Sequence, residues 1–352
     1  MRNIKVIVWG LGAMGSGMAE LLLRKKGVEI TGIAGRGGKI GKSMYDFIAA
    51  DREGRPDIII GKPEDVITEK AADIVLLCTD SFTARAFDKI QFIIEKKINV
   101  ITSAEEMAYP AAREPELARR IDTLAKANGV SVLGTGINPG LIMDLLAVLM
   151  TGCCREVGSI EARRVNSLSP FGPAVMEEQG IGLTEEEFRA KAASGALVGH
   201  VGFAESISMI ADAVGWKVDK ITQSMEPLIT AVDREAPHGF AKAGTVAGVA
   251  MKGEGVIGGE VKISMDHPQQ IAPEAGGVVT GDYITIRGIP DITLSNVPEV
   301  PGGIGTIAMC VNMIPHVINA PPGLKTMIDL PPPRAIMGDM RDFIHNKNML
   351  VP

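Results

Sequence analysis

Two adjacent carboxylates, Glu105 and Glu106, follow a β-branched, apolar run at residues 99–103. A carboxylate at the carboxyl end of a buried strand is placed for general base work. It is equally what the N-terminus of a helix favours through its dipole, and spacing alone leaves both readings open. A second cluster is less ambiguous. Gly10-Leu11-Gly12-Ala13-Met14-Gly15 separates the apolar run 4–9 from residues 16–26, where Met18, Leu21 and Leu22 recur at helical spacing. A G-x-G-x-x-G between a strand and a helix has a mechanism: the first glycine makes the turn, the second lets backbone approach a pyrophosphate, and the third lets helix pack on strand. These residues are the expected dinucleotide site.

The second strand, 28–34, carries no acidic residue at its end to bond a ribose 2′-hydroxyl; Arg36 and Lys39 stand there instead. A 2′-phosphate suits Arg36, with Lys39 helping, so NADP, NAD or both are expected as cofactor. As solvated loop cations the two would carry no such meaning. Thr79-Asp80-Ser81, the stretch 102–106 and the loop Thr135-Gly136-Ile137-Asn138-Pro139-Gly140 also follow strand-like runs. In a parallel sheet such loops open on one crevice at the carboxyl ends of the strands.

The elements that must position these residues read as an alternation. Strands at 4–9, 28–34, 58–60, 74–78, 99–103 and 130–133 interleave with helical segments such as 83–96 and 114–128, which predicts a doubly wound parallel (Rossmann) sheet over residues 1–135. After about residue 136 strand-like segments at 159–165, 220–227, 256–265 and 283–287 come in closer succession, with helices at 184–194 and 203–214. That predicts an α+β domain, 136–302, with an open, mostly antiparallel sheet for substrate binding and dimerisation. Residues 303–319 read as one apolar helix packing back near the crevice, with the segment 303–352 around it.

Composition narrows the function classes. The 352 residues are 46% hydrophobic and 22% charged, with a formal net charge of −6. That is ordinary for a globular protein and gives no basic footprint for nucleic acid or an anionic membrane. The opening apolar run is too short for a signal peptide, and no stretch reaches the ~18 apolar residues needed to span a bilayer, so a cytoplasmic protein is expected. Cys78, Cys153, Cys154 and Cys310 include no C-x-x-C, and His200, His238, His267, His316 and His345 are scattered, so no metal site is expected.

Taken together, residues 8–15, Thr102-Ser103-Ala104-Glu105-Glu106-Met107-Ala108-Tyr109-Pro110, Gly136-Ile137-Asn138-Pro139-Gly140, Arg163-Arg164-Val165-Asn166 and Asn319-Ala320-Pro321-Pro322-Gly323-Leu324 resemble the 2,4-diaminopentanoate dehydrogenases. These group with the native amine dehydrogenases, among dihydrodipicolinate-reductase-like proteins. The resemblance runs over essentially the whole chain. It implies NAD(P)-dependent oxidative deamination of (2R,4S)-2,4-diaminopentanoate at C4, a step of ornithine breakdown, with reductive amination as the reverse.

That chemistry needs a base to deprotonate the substrate ammonium before hydride can leave. Glu105 is the expected base, best served by a pKa drawn up toward ~6–7, with Glu106 in reserve. The remote α-carboxylate calls for a fork of donors, expected from Arg164 with His267 adding another, while Asn138 and Asn166 orient polar groups. The rivals are hydride transfer to a cyclic imine, as in dihydrodipicolinate reductase, and a protein that binds NAD(P) without turnover. An open sheet must cover its second face, and a homodimer is the expected cover.

Overall fold

Strands buried on both faces must be apolar throughout, and Ile74-Val75-Leu76-Leu77, buried at every position, shows where the first sheet has its centre. The computed structural model describes residues 1–351 as two compact units, Met1–Leu141 with the chain from Gly303 onward, and Ile142–Gly302. In the first unit β1 (Ile4–Trp9), α1 (Ala13–Leu23), β2 (Val28–Ala34), β3 (Ile60–Gly61), α2 (Pro63–Val66), β4 (Ile74–Leu77), α3 (Thr83–Glu95), β5 (Asn99–Thr102), α4 (Pro115–Asn128) and β6 (Ser131–Gly134) follow one another.

The second unit holds α5 (Leu145–Thr151), β7 (Glu156–Ser167), α6 (Pro173–Glu178), α7 (Glu185–Ala193), α8 (Phe203–Ala213), β8 (Lys220–Ile229), β9 (Arg234–Ala236), β10 (Gly239–Ala241), β11 (Val246–Ile257), β12 (Glu260–Gln270), β13 (Gly281–Ile289) and β14 (Ile292–Asn296). The chain then adds α9 (Gly302–Asn312), α10 (Ile314–Asn319) and β15 (Gly323–Lys325).

The first sheet runs β15-β6-β5-β4-β1-β2-β3, parallel throughout. Its order reverses between β1 and β4, the switch point at which such sheets bind ligands. Helices α3 and α4 bury Ile90, Ile94 and Ile121 against the face presenting Ile7, Val75, Leu77 and Val132, while α10 packs on β5 and β6. The expected doubly wound sheet is the one observed.

The second sheet, β14-β13-β7-β12-β11-β8, is antiparallel except where β7 runs parallel to β12. Helix α8 lies on one face: a Cβ at Gly253 would stand 3.1 Å from the Phe203 ring, and one at Gly255 2.7 Å from Ile207.

Two expected elements differ. The strand expected at 256–265 is the hairpin between β11 and β12, which turns at Gly258 (φ +63) and Gly259 (φ +82). Two consecutive glycines in the left-handed region make the tight turn whose twist suits a hairpin. The single helix expected over 303–319 is two, α9 and α10, parted at Met313. Pro315 has no N–H for the carbonyl of Val311, so the hydrogen-bond ladder breaks there. No helix is long and apolar enough to cross a membrane among the described residues.

Candidate active site

Each glycine of the turn after β1 meets a different constraint. Gly10 sits at φ +100, and a Cβ there would lie 2.8 Å from the Cys78 carbonyl oxygen and 2.9 Å from Thr79 Cγ2. A Cβ on Gly15 would stand 1.8 Å from the Gly10 carbonyl oxygen, so α1 packs against the turn only because that side chain is missing. A Cβ on Gly12 would meet nothing within 4 Å. Gly12 is the N-cap of α1 and no side chain caps the helix; its first N–H groups face open space bordered by exposed Gly12 and Ala13 and half-buried Met14. Such an end is a cradle for a phosphate, which fits a dinucleotide.

Arg36 is exposed just beyond β2, at the N-cap of a 3-10 turn, Gly37–Lys39. Lys39 takes a different task from the one expected. Its ammonium donates to the Leu11 carbonyl and lies 4.7 Å from the Phe47 ring centroid, bracing the glycine loop. After β4, the Asp80 carboxylate accepts from the Thr79 hydroxyl at 2.6 Å and from Lys89 Nζ at 2.5 Å, which fixes the loop lying over Gly10. Burial pushes the neighbouring Cys78 thiol up to about 12, so it stays protonated and is no nucleophile.

The two glutamates part ways. They open a 3-10 turn, Glu105–Ala108, directly after β5. Glu106 is buried at 8% exposure; its backbone N–H donates to the Ser81 carbonyl at 3.1 Å and its Oε2 accepts from the Thr83 N–H at 2.8 Å. It therefore caps α3, whose own N-cap, Phe82, has no side-chain bond to offer. The reserve base of the sequence reading is a structural cap, held by a loop that local spacing does not reveal. Glu105 is half-buried at the mouth of the turn. A Cβ on Gly134 would stand 2.1 Å from the Met107 carbonyl oxygen, so the end of β6 presses on this turn. Beyond β6, half-buried Asn138 precedes a cis peptide to Pro139. Gly140, at φ +130, folds its loop back on Gly136.

In the second unit Arg164 and Asn166 lie on the face of β7 that also carries His267 and Gln269 of β12, by the register pairing Arg163 with Asp266 and Asn166 with Gln269. Arg164 is 1% exposed. Its Nη1 pairs with Asp282 of β13 and its Nη2 donates to the Val300 carbonyl at 2.6 Å, so the guanidinium is already balanced and held by a carboxylate. Arg163, on the opposite face, pairs with Asp266 at 2.8 Å and stays half exposed.

His267 corrects the expectation of a donor. Its Nδ1 lies 2.8 Å from the Arg164 carbonyl oxygen, which can only accept. Nδ1 therefore carries the proton. Burial, with the neighbouring His200 and Arg164, holds the ring well below the usual imidazole range and hence neutral, leaving Nε2 a lone pair. His200 stands edge-on at 4.7 Å between ring centroids, its own pKa lowered to about 3 by burial and Arg164. His200, Asp282 and Gln269 were missed by sequence reasoning; only Gln269 had a local signal, its period-two spacing from His267. No group of three or more His, Cys, Asp or Glu is placed to hold a metal among the described residues.

A strand order of this kind, with such a turn between its first strand and helix, puts the chain among the dinucleotide-binding Rossmann-fold proteins. Comparison with known proteins is more specific. The 2,4-diaminopentanoate dehydrogenase C-terminal domain is matched over residues 141–346. The 2,4-diaminopentanoate dehydrogenase of Acetoanaerobium sticklandii is 71% identical over 352 residues, covering 100% of both chains. The chain belongs to the 2,4-diaminopentanoate dehydrogenase family. More distantly, it is 27% identical to an amine dehydrogenase of Mycobacterium smegmatis of solved structure, with a TM-score of 0.83 over 96% of this chain and 98% of that one. An amine dehydrogenase of Streptomyces virginiae is 21% identical, over 93% of this chain and 96% of the other.

Proposed function

We propose that this protein catalyses the NAD(P)-dependent oxidative deamination of (2R,4S)-2,4-diaminopentanoate at C4, giving 2-amino-4-oxopentanoate and ammonium, with reductive amination as the reverse. The observation that carries the reading is full-length, 71% identity to a 2,4-diaminopentanoate dehydrogenase. The cradle at Gly12 and the half-buried carboxylate after β5 support it. When bound, the nicotinamide accepts the hydride leaving the amine-bearing carbon.

The chain's own groups do the rest. Glu105 takes a proton from the substrate ammonium, which gives the nitrogen the lone pair that pushes hydride out, and releases that proton to solvent. As a carboxylate again it takes a proton from the water that attacks the iminium carbon and passes it to the departing ammonia. Gly10, Leu11, Gly12, Ala13, Met14 and Gly15 hold the pyrophosphate, and Thr79 and Asp80 border it. Arg36, exposed and without a carboxylate beside it on β2, favours NADP while leaving NAD usable. Asn138, Asn166 and His267 orient the substrate, His267 through the Nε2 lone pair rather than as a donor, while Arg164, committed to Asp282, holds the His267 ring through its backbone carbonyl. The first unit serves as the dinucleotide domain and the second as substrate domain and homodimer contact, in a cytoplasmic enzyme.

Glu105→Gln tests the base: turnover falls by about 10²–10⁴ with cofactor affinity unchanged. Near-wild-type turnover would remove Glu105 from that role.

A further inference from the structure

One cross-strand pair in the second unit has complementary polar atoms with nothing to bond. Asn166 and Gln269 are partners in the parallel ladder of β7 and β12, so their side chains leave the same face about 4.8 Å apart. Both strands run on by one residue, to Ser167 and Gln270, so the pair sits at their carboxyl ends. Asn166 is 5% exposed and Gln269 6%. Among the described residues Asn166 Oδ1 has no donor and Gln269 Nε2 no acceptor. The next residue, Gln270 on the opposite face, is matched: its Oε1 accepts from Arg234 at 2.6 Å. Buried amides ordinarily find partners, so an acceptor and a donor left open side by side point to a ligand carrying the reverse pair.

We propose that Asn166 and Gln269 read the α-amino-acid end of the substrate, with Asn166 Oδ1 accepting from the α-ammonium and Gln269 Nε2 donating to the α-carboxylate. An ammonium only donates and a carboxylate only accepts, so this arrangement matches a zwitterion and gives nothing to a simple alkyl amine. His267, one pleat earlier on the same face, adds a second acceptor to the same end through Nε2. Gln269 is thereby a specificity residue, in an assignment that rests on the diaminopentanoate reading above.

The test is Gln269→Met, which keeps length and removes polarity, with steady-state kinetics on 2,4-diaminopentanoate beside the melting temperature. KM for the diamino acid rises about tenfold or more, as expected for one lost bond to a charged group, while kcat and the cofactor KM hold. The melting temperature stays level or rises, because a buried N–H donor without an acceptor has been removed. Gln269→Glu, of nearly the same shape, sets carboxylate against carboxylate and raises KM further, which decides the matter if the Met variant folds poorly.

Unchanged KM in either variant overturns the assignment and makes the partner an ordered water only. A lowered kcat and melting temperature accompanying the raised KM in both variants overturns it in favour of a structural amide. A wild-type enzyme inactive on 2,4-diaminopentanoate overturns the functional reading and this assignment with it; an active wild type with indifferent variants overturns the assignment alone.

Discussion

Gly12 and Gly15 lie three residues apart in one motif, and alanine at each should fail in opposite ways. At Gly12 the backbone, φ −85 and ψ −166, is open to any residue, and the new Cβ meets no atom within 4 Å. Folding stability should therefore shift by no more than about 0.5 kcal/mol, and the melting temperature by ~1–2 °C at about 2–4 °C per kcal/mol for a domain of this size. The methyl group instead enters the space where a pyrophosphate must approach the N–H groups of α1. Cofactor affinity should fall at least tenfold, about 1.4 kcal/mol.

At Gly15 the new Cβ lies 1.8 Å from the Gly10 carbonyl oxygen, deep inside van der Waals contact. The helix must back away from the turn, an overpacking cost of about 1–3 kcal/mol or more. Gly15→Ala should melt lower by about 2–12 °C and lose cofactor binding as a consequence. Thermal melts with calorimetric titration of NADP and NAD separate the two. Wild-type affinity in Gly12→Ala would refute the cradle, and an unchanged melt in Gly15→Ala would refute the packing argument.

Glu106→Ala should cost about 0.5–2 kcal/mol of stability by uncapping α3, measured by urea titration; a variant of full stability that is catalytically dead would restore Glu106 as a base. Arg36→Ala should raise KM for NADP selectively, and equal effects on NADP and NAD would remove Arg36 from the 2′-phosphate.

Stability should fall with acid because His200 is held neutral, with a pKa of about 3 folded against 6.5 unfolded. The unfolded chain binds the proton first, so stability drops as pH falls below about 6.5 and continues toward 3. At pH 5 His200 alone contributes a loss of about 2 kcal/mol. His200→Asn should narrow the difference between urea melts at pH 7.5 and 5 by about 2 kcal/mol, with the part due to His267 persisting, and an unchanged pH slope would contradict the burial argument.

What the sequence made legible was local. The glycine turn, the apolar strands 74–77 and 99–102 and the helices α3 and α4 announce themselves through nearest neighbours and periodicity, so the first unit is legible almost element by element as far as β6, but not at β15, a three-residue strand that returns to pair with β6. Features decided by distant residues were not legible. Glu106 caps α3 from 23 residues away, and Arg164 is balanced by Asp282 across 118 residues. No spacing rule connects them.

One error had a local remedy. Reading Gly258-Gly259 as a hairpin turn would have run β12 on to Gln270, putting His267 and Gln269 on one face. Treating 256–265 as a single strand ended it two residues short of His267 and hid the pair. His267 itself shows the limit of residue type as a guide. The sequence offers an imidazole, and only the carbonyl against its Nδ1 decides that Nε2 accepts.

The central claim is that an amine, and this amine, gives up hydride. The purified protein is mixed with (2R,4S)-2,4-diaminopentanoate and NADP or NAD, and reduced cofactor and released ammonium are followed together. One ammonium per reduced cofactor, dependent on the diamino acid, is the predicted result. No reduction with either cofactor, or reduction without ammonium release, would contradict it.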